Sequence, residues 1–360
     1  MKKDRLVSCF LELVRIDSPS GQEGDVAAYI RARLAELGIA TTADSLGNVH
    51  GWVDGVGEPI ILNAHMDNVP PCKGIKPILK DGVISSDGTT VLGADDKSGV
   101  AAILETLRTL KEEGTRHPPL DLVFSVQEET GLTGAKNLDF KMLKAKQALV
   151  LDSGGQVGNI ITAAPGSNVI NASVFGRAAH AGVAPEKGIN AIYVAAQAIA
   201  RMKVGRIDEE TTANVGTIRG GAARNIVPER VDILAEARSR SEEKLRRQTD
   251  EMTGLLEEAA RCNGARTEIK VQRAYTAYHV PDGDLLVQDL MRACRSLGIE
   301  PQTRPTGGGS DANVFNLNGI KAVVLATGYE DNHATTEHIA VSDLTKATEL
   351  LMALLRVGQG

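Results

Sequence analysis

Residues 61–70 constrain this chain more than any other stretch. They begin as an apolar run of strand type and continue into His65-Met66-Asp67, with a pair of prolines shortly after. Because side chains of a strand alternate between its two faces, residues two apart point to the same side. Such a strand presents an imidazole beside a carboxylate, which suits a metal ligand and the group that orients it. A structural histidine at the end of a strand explains this stretch, taken alone, about equally well.

The length and composition of the chain exclude several classes of protein. At 360 residues the chain exceeds one ordinary hydrophobic core, so we expect two domains. A formal charge of −6 and an aromatic content of 3% argue against a nucleic-acid partner. No apolar run approaches the roughly 20 residues that span a bilayer, and the first residues lack the apolar segment of a signal peptide. The cysteines are scattered without metal-type spacing, so we expect reduced thiols in a cytoplasmic protein.

The order of the predicted elements divides the chain into two domains. Residues 1–165 and 277–360 alternate between apolar strands and amphipathic helices, which predicts a discontinuous α/β/α domain built on a mixed sheet. Between them, residues 166–276 follow the order strand–helix–strand–strand–helix–strand, which is typical of an inserted, ferredoxin-like α+β domain. Its first strand, near 169–175, alternates in polarity. We expect this strand at an edge of its sheet, where it would pair with a second copy of the chain.

Acidic side chains occupy several other loop positions of the larger domain. Asp95 and Asp96 lie at the start of a predicted helix, where a capping role explains one of them well and two poorly. Glu128 and Glu129 follow a short apolar strand, and Asp152 ends the next one. Two adjacent carboxylates are costly unless a cation lies beside them, although a solvated acidic loop is the simpler alternative. The carboxyl edge of an α/β sheet is where binding sites usually lie.

These acids and a histidine near the C-terminus form a set of nitrogen and oxygen ligands that contains no cysteine. Such ligands suit Zn²⁺, Co²⁺ or Mn²⁺ at a hydrolytic site. The ordered motifs resemble the peptidase T-like (tripeptide aminopeptidase-like) branch of the di-zinc exopeptidase and deacylase superfamily. The resemblance covers nearly the whole chain and rests on His65-Met66-Asp67, Gly93-Ala94-Asp95-Asp96-Lys97, Gln127-Glu128-Glu129-Thr130-Gly131, Asp152-Ser153-Gly154-Gly155 and Asp331-Asn332-His333.

The resemblance implies that residues 1–165 and 277–360 are the catalytic domain and that they bind two zinc ions. The implied ligands are His65 and Asp152 on the first ion, Glu129 and His333 on the second, and Asp95 bridging both. Asp67 would orient the first histidine, and the peptide bond after Asp95 is often cis in such families. His338 competes for the role of His333, but Glu337 stands at the expected spacing after His333.

The resemblance also implies a mechanism. Two Zn²⁺ ions balance the charge of three ligand carboxylates and a bridging hydroxide, so the cluster is neutral in its pocket. Zinc lowers the pKa of bound water to about 7. Glu128 would take the proton of this water as the hydroxide attacks the peptide carbonyl, and would then hand it to the leaving amine.

The inserted domain, 166–276, resembles the lid and dimerisation domain of these families. His180 would reach the active site of the partner in a homodimer and stabilise the oxyanion, whereas an ordinary loop histidine is the alternative. Arg224 and Asn225 resemble the residues that bind substrate, since arginine suits a carboxylate. The backbone of Gly308 and Gly309 could hold an anionic group, although a plain turn explains this glycine run equally well.

We therefore expect the chain to hydrolyse peptide bonds in short peptides and to remove the N-terminal residue of tripeptides. One alternative is a deacylase, desuccinylase or carboxypeptidase of the same fold that acts on N-acyl amino acids. A more remote alternative is a non-catalytic binding protein, which would require the loss of a ligand or of the base. Neither a nucleic acid nor a membrane is expected as a partner.

Overall fold

The computed structural model describes residues 1–357, which form two compact units. The first unit consists of Met1–Ala163, His279–Pro305 and the described residues from Ser310 onward, and the second consists of Ala164–Tyr278 with Thr306–Gly309. The helices are α1 (Lys3–Val14), α2 (Gly24–Glu36), α3 (Ala94–Glu113), α4 (Thr133–Lys136), α5 (Ala191–Ile199), α6 (Glu242–Cys262), α7 (Leu285–Ser296), α8 (Asp311–Leu317) and α9 (Val341–Val357). The strands are β1 (Thr41–Ala43), β2 (Val49–Val53), β3 (Ile60–His65), β4 (Ile78–Lys80), β5 (Val83–Ser85), β6 (Leu120–Ser125), β7 (Gln147–Ser153), β8 (Asn159–Ala164), β9 (Gly166–Phe175), β10 (Gly205–Arg206), β11 (Thr211–Gly220), β12 (Arg230–Ser239), β13 (Arg266–Tyr275), β14 (Tyr278–His279), β15 (Gln302–Pro305), β16 (Lys321–Ala326), β17 (Tyr329–Glu330) and β18 (His338–Ala340).

The first unit is built on a mixed sheet with the strand order β1-β2-β6-β3-β7-β16-β8-β14, in which β15 pairs with β8. The central strands β6, β3, β7 and β16 run parallel to one another, whereas β2 is antiparallel to β6. Every residue of β3 and β6 is buried, as expected for parallel strands that are covered on both faces. The predicted α/β class with a mixed sheet is confirmed. Because β3, β6 and β7 are parallel, the residues that follow them emerge at one edge of the sheet.

A small antiparallel sheet of the first unit holds the loop that contains His333. Its strand order is β17-β18-β5-β4. Strands β17 and β18 pair with each other, so residues 331–337 form the connection of a hairpin. Strand β18 also pairs with β5, which anchors this hairpin to the segment that precedes α3.

The second unit has the antiparallel sheet order β10-β11-β12-β9-β13, against which α5 and α6 pack. Strands β9, β11, β12 and β13 and the two helices have the predicted ferredoxin-like connectivity. The prediction that the first strand lies at a sheet edge was wrong, since β9 pairs along its length with β12 and β13. Alternating burial in β9 shows only that one face is open. The position of a strand in a sheet depends on pairing partners that are distant in sequence, and polarity does not report them.

None of the helices among residues 1–357 combines the length and the apolar character that crossing a membrane would require.

Candidate metal centre

His65 ends β3 and faces two carboxylates with one ring nitrogen. Its Nε2 lies 3.0 Å from Oδ1 of Asp95 and 3.7 Å from Oδ1 of Asp152. The other ring nitrogen, Nδ1, lies 3.5 Å from Oδ1 of Asp67, which is an ion-pair distance rather than a well-formed hydrogen bond. Asp152 belongs to the neighbouring parallel strand β7, which explains why the two side chains meet at the same edge of the sheet.

A second group of side chains shares Asp95 with the first. Nε2 of His333 lies 3.0 Å from Oε1 of Glu129 and 3.5 Å from Oδ2 of Asp95. In the group of His65, Asp95 and Asp152, and also in the group of Asp95, Glu129 and His333, the candidate ligand atoms all lie within 4.8 Å of one another. The five predicted ligands are therefore brought together, and Asp95 contributes one oxygen to each histidine.

Glu128 lies beside these groups but differs from its neighbours in its contacts. Its side chain is buried, and a carboxylate oxygen lies within 4.8 Å of candidate ligand atoms of His65 and Glu129. In the described part of the chain its carboxylate makes no hydrogen bond, whereas Asp95 and Glu129 each contact an imidazole. The geometry thus leaves the carboxylate of Glu128 available to another group.

Asp67 contacts other groups in addition to the imidazole of His65, which the sequence predicted it would orient. Its carboxylate accepts hydrogen bonds from the backbone N–H groups of Glu128 and Glu129, at 3.0 and 3.2 Å, and from the hydroxyl of Ser20, at 2.6 Å. The adjacent acids are therefore held at their backbone by Asp67. This contact was not predicted, because it joins the end of β3 to the loop after β6.

Burial and the neighbouring charges shift the pKa values of the group. Burial raises the pKa of the Asp152 carboxyl to about 8, against the effect of the nearby imidazole of His65. The pKa of Glu128 is raised well above its ordinary value by burial and then by the charge of Asp152. The carboxylates of Asp95 and Glu129 beside its ring raise the pKa of His333 to about 10. Burial and mutual repulsion thus oppose full ionisation of these carboxylates unless a cation lies among them.

The donor set fits divalent cations. The candidate groups contain four carboxylates and two imidazoles, so with all four carboxylates ionised they carry net negative charge even when both imidazoles are protonated. Burying that charge without counter-cations would be costly. Imidazole nitrogen and carboxylate oxygen are the ligands that zinc and similar ions use at hydrolytic sites.

Residues that sequence reasoning missed hold the candidate ligands in place. Nδ2 of Asn332 donates to Oδ2 of Asp95 at 3.0 Å, and the hydroxyl of Tyr329 donates to Oδ1 of Asp152 at 3.4 Å. Asp96 accepts the backbone N–H of His65 at 3.2 Å, and the Asp95–Asp96 peptide bond is cis, as the resemblance implied. The signal for Asn332 was its position next to the predicted ligand His333.

The other predicted site residues belong to the second unit. His180 is exposed in a loop after β9, and the backbone N–H of Ala181 donates to the carbonyl of Asn225 at 2.9 Å. The structure therefore brings His180 next to the segment that contains Arg224 and Asn225. Gly308 donates its N–H to the hydroxyl of Thr306 at 3.2 Å.

The glycine run lies against a tyrosine ring of the second unit. A Cβ atom at Gly309 would come within 2.5 Å of the ring of Tyr275, so this close approach requires glycine. The roles of His180, Arg224, Asn225, Gly308 and Gly309 toward a substrate stay predictions.

Known proteins resemble the chain over its whole length. A 42% identical Bacillus subtilis protein, YqjE, is described as uncharacterized, and the match covers 99% of this chain and 98% of that protein. The crystal structure of aminopeptidase PepT from Bacillus cereus is 42% identical, with a TM-score of 0.90 and 100% of both chains covered. A tripeptidase structure from Staphylococcus aureus is 37% identical, with a TM-score of 0.95 and 100% of both chains covered.

These comparisons confirm the predicted resemblance to the peptidase T-like enzymes. The sequence also matches the family model described as Peptidase family M20/M25/M40 over residues 61–357, which include all the candidate metal ligands. On this evidence, the chain belongs to peptidase family M20/M25/M40.

Proposed function

We propose that this peptidase is a metal-dependent exopeptidase that removes the N-terminal residue of short peptides, with tripeptides as the expected substrates. The observation that carries the proposal is the pair of ligand groups that share Asp95, with the uncommitted carboxylate of Glu128 beside them. The names of the similar Bacillus cereus and Staphylococcus aureus proteins, an aminopeptidase and a tripeptidase, support this substrate class.

The proposed cofactor is a pair of Zn²⁺ ions, for which Co²⁺ or Mn²⁺ would also suit the ligands. His65, Asp95 and Asp152 would hold the first ion, and Asp95, Glu129 and His333 would hold the second. This assignment follows the two groups of converging ligand atoms. When bound, the ions would supply Lewis acidity that polarises the scissile carbonyl and makes water more acidic.

The residues of the chain supply the proton transfers and the orientation. Glu128 would accept the proton of the attacking water and return it to the leaving amine, since its carboxylate is buried and uncommitted. Asp67 would hold Glu128 in position by accepting the hydrogen bond from its backbone N–H. It would also orient His65 from the opposite side of the ring.

The test of this function is a comparison of substrate classes. The metal-loaded protein is incubated with Ala-Ala-Ala, with a dipeptide and with N-acetyl amino acids, and the released amino acids are quantified. We expect release of the free N-terminal residue from the tripeptide and loss of turnover after chelation. Turnover of the N-acyl compounds alone would favour a deacylase, and release of the C-terminal residue alone would favour a carboxypeptidase. Metal analysis that finds a single ion at saturation would contradict the shared role of Asp95.

The second unit is proposed to form a homodimer and to contribute His180 to the site of the partner. Among the described residues, β13 and the 214–220 part of β11 have no neighbouring strand on one side, and such edges are commonly covered by pairing. The backbone N–H of Gly182 donates to Nδ1 of His180 at 3.2 Å. A neutral ring then has its proton on Nε2, which suits a donor to an oxyanion. Arg224 and Asn225, in the adjacent segment, are proposed to contact the substrate.

Mixing two inactive variants tests whether His180 acts across the dimer. His180→Ala should lower kcat by about 10²-fold without changing metal content, by analogy with the loss of an oxyanion donor. In a mixed dimer with Glu128→Gln chains, one site would have an intact Glu128 and the intact His180 of its partner. Recovered activity would support the proposal. A monomer in solution, or no recovery after demonstrated exchange, would leave His180 an ordinary loop residue.

The reduced state of the cysteines supports a cytoplasmic location, which stays a proposal. The four cysteines of the chain are free thiols in the structure. Disulfides are rare in the cytoplasm, where thiols are kept reduced.

A further inference from the structure

The 331–337 loop, which joins β17 to β18, contacts the candidate metal centre through more than its histidine. Asn332 donates to a carboxylate oxygen of Asp95, and His333 forms ion pairs with Asp95 and Glu129. The last residue of this loop, Glu337, is not a candidate ligand. It is nevertheless almost completely buried, with 1% of its surface exposed. A buried carboxylate needs partners, so the contacts of Glu337 define what it does.

Glu337 binds the backbone of the segment that contains Asp95. One carboxylate oxygen accepts the N–H groups of Leu92 and Gly93, at 2.8 and 2.7 Å, and the other accepts the N–H of Asp95, at 2.9 Å. These distances are typical of hydrogen bonds to an ionised acceptor. A single side chain from the 331–337 loop therefore satisfies three buried donors at the start of α3.

The start of α3 is irregular, and its first capping position makes no side-chain hydrogen bond. The first N–H groups of a helix lack intrahelical partners, and Gly93, at the capping position, has no side chain to offer. In addition, Asp95 and Asp96 have non-helical backbone angles, and Oδ1 of Asp96 accepts the N–H of Gly99 at 3.2 Å, so Asp96 caps only the regular turns that follow. Glu337 thus supplies the negative charge and the acceptors for the irregular turn that precedes them, where no local side chain in the described part of the chain caps the backbone. Without it, three buried donors would be unpaired.

The backbone of Asp95 is held from its other side as well. Nδ2 of Asn68 donates to the carbonyl oxygen of Asp95 at 2.8 Å. With its N–H bound by Glu337 and its carbonyl bound by Asn68, the residue has little freedom to rotate. Its carboxylate must direct one oxygen to His65 and the other to His333. A ligand that serves two sites tolerates less displacement than one that serves a single site.

We propose that Glu337 is a positioning residue that fixes the backbone of Asp95 so that its carboxylate can be shared by both metal ions. This inference rests on the proposed function, because it takes Asp95 as the shared ligand. Glu337 acts on metal binding through Asp95 and contacts neither ion itself.

The test uses Glu337→Gln with Asp121→Asn as its matched control. Gln has a single acceptor oxygen and a donor NH₂ group in place of the second oxygen. This NH₂ group must face either the N–H of Asp95 or the N–H groups of Leu92 and Gly93, which it cannot bind. Asp121 is also a buried carboxylate that accepts two backbone N–H groups, those of Lys144 and Ala145, at 2.8 and 2.9 Å. It lies near the start of β6, whereas the residues that pair beside His65 lie at the end of that strand.

Metal affinity of the folded protein is the readout, independent of turnover. Stripped protein is titrated with Zn²⁺ in competition with a chromophoric chelator, and far-UV circular dichroism checks folding. We expect Glu337→Gln to weaken the binding of both ions by about 10- to 100-fold, the usual effect of losing a group that orients a ligand. Asp121→Asn should reduce the melting temperature and leave both affinities unchanged. His333→Ala should weaken mainly one ion, because His333 belongs to one ligand group.

Each result either supports or overturns the inference. Unchanged affinity for both ions in folded Glu337→Gln would overturn it while leaving the proposed function intact. If the wild-type protein itself fails to bind two ions, the proposed function fails first. If Glu337→Gln does not fold, Glu337→Asp replaces it, since Asp keeps the charge but is one methylene too short to reach the same donors. Wild-type affinity in folded Glu337→Asp would likewise overturn the inference.

Discussion

Exchanging Glu128 and Glu129 separately for Gln tests the division of roles between two adjacent acids. Gln keeps the size of each side chain and removes its charge. Oε1 of Glu129 lies 3.0 Å from Nε2 of His333, whereas the carboxylate of Glu128 has no hydrogen bond among residues 1–357. We therefore expect Glu129→Gln to weaken metal binding and Glu128→Gln to abolish proton transfer. The two variants should fail for different reasons.

The contacts of the neighbouring acids set the size of the effect at Glu128. Loss of a general base typically costs 10²- to 10⁴-fold in rate, and the lower values apply when another group can substitute. Here Asp95, Asp152 and Glu129 all face imidazoles, so none of these three carboxylates is free to replace Glu128. We expect kcat to fall by about 10³- to 10⁴-fold, which corresponds to about 4 to 5.5 kcal/mol of barrier.

Two measurements on each variant separate the roles. Tripeptide turnover gives kcat, and elemental analysis after dialysis against Zn²⁺ gives the number of bound ions. Glu128→Gln should retain both ions, and the metal-free variant should be at least as stable as wild type, because the neutral amide relieves the repulsion with Asp152. If Glu128→Gln lost metal while Glu129→Gln kept both ions and lost only rate, the two roles would be exchanged. Near wild-type turnover by Glu128→Gln would refute the reasoning altogether.

Three further predictions concern stability and reactivity. Chelation should lower the melting temperature by about 5 to 11 °C for each ion removed, since one ion at about 100 times its Kd contributes about 2.7 kcal/mol. An unchanged melting curve would contradict this. Burial raises the pKa of the Asp121 carboxyl, but hydrogen bonds from His50 and two backbone N–H groups outweigh it and hold that pKa below its ordinary value. The resulting stabilisation is present above the unfolded pKa of about 3.9 and is lost as the pH falls through the folded pKa. Urea unfolding from pH 7 to pH 3 should therefore show a steeper decrease in the free energy of unfolding for wild type than for Asp121→Asn. Exposed Cys262 should react fastest with a thiol reagent at pH 8, because burial raises the pKa of Cys9 and Cys294 to about 11. Rapid labelling of Cys9 or Cys294 in the folded protein would argue against this.

The sequence was informative where a residue type and its position in an element together determine the chemistry. His65 ends an apolar strand, and Asp152 ends another; both are short-range features of the chain. Parallel pairing then brings them together, because residues at the same end of parallel strands share an edge. The ligand groups could therefore be predicted from local patterns and a resemblance, before any contact was known.

Contacts that join distant segments were beyond this reasoning. The position of β9 at the centre of its sheet follows from pairing with β12 and β13, and the polarity of β9 is compatible with either an edge or a central position. The sequence indicated only that Glu337 lies at the expected spacing after His333, and it predicted no contact for this side chain. Its bonds to the start of α3 connect segments more than two hundred residues apart, and nothing local in either segment reports them.

The partner of each carboxylate oxygen distinguishes acids that look equivalent in the sequence. Asp67 and Glu337 face backbone N–H groups, which fixes the chain and makes them suited to positioning. Asp95 and Glu129 face imidazole nitrogen, and a cation placed between such groups would bind both. Glu128 faces neither kind of group, so its oxygens are the ones left to exchange a proton with a substrate. One type of functional group can thus serve as an anchor, a ligand or a base, and the distinction depends on burial beside donors that only the folded chain provides.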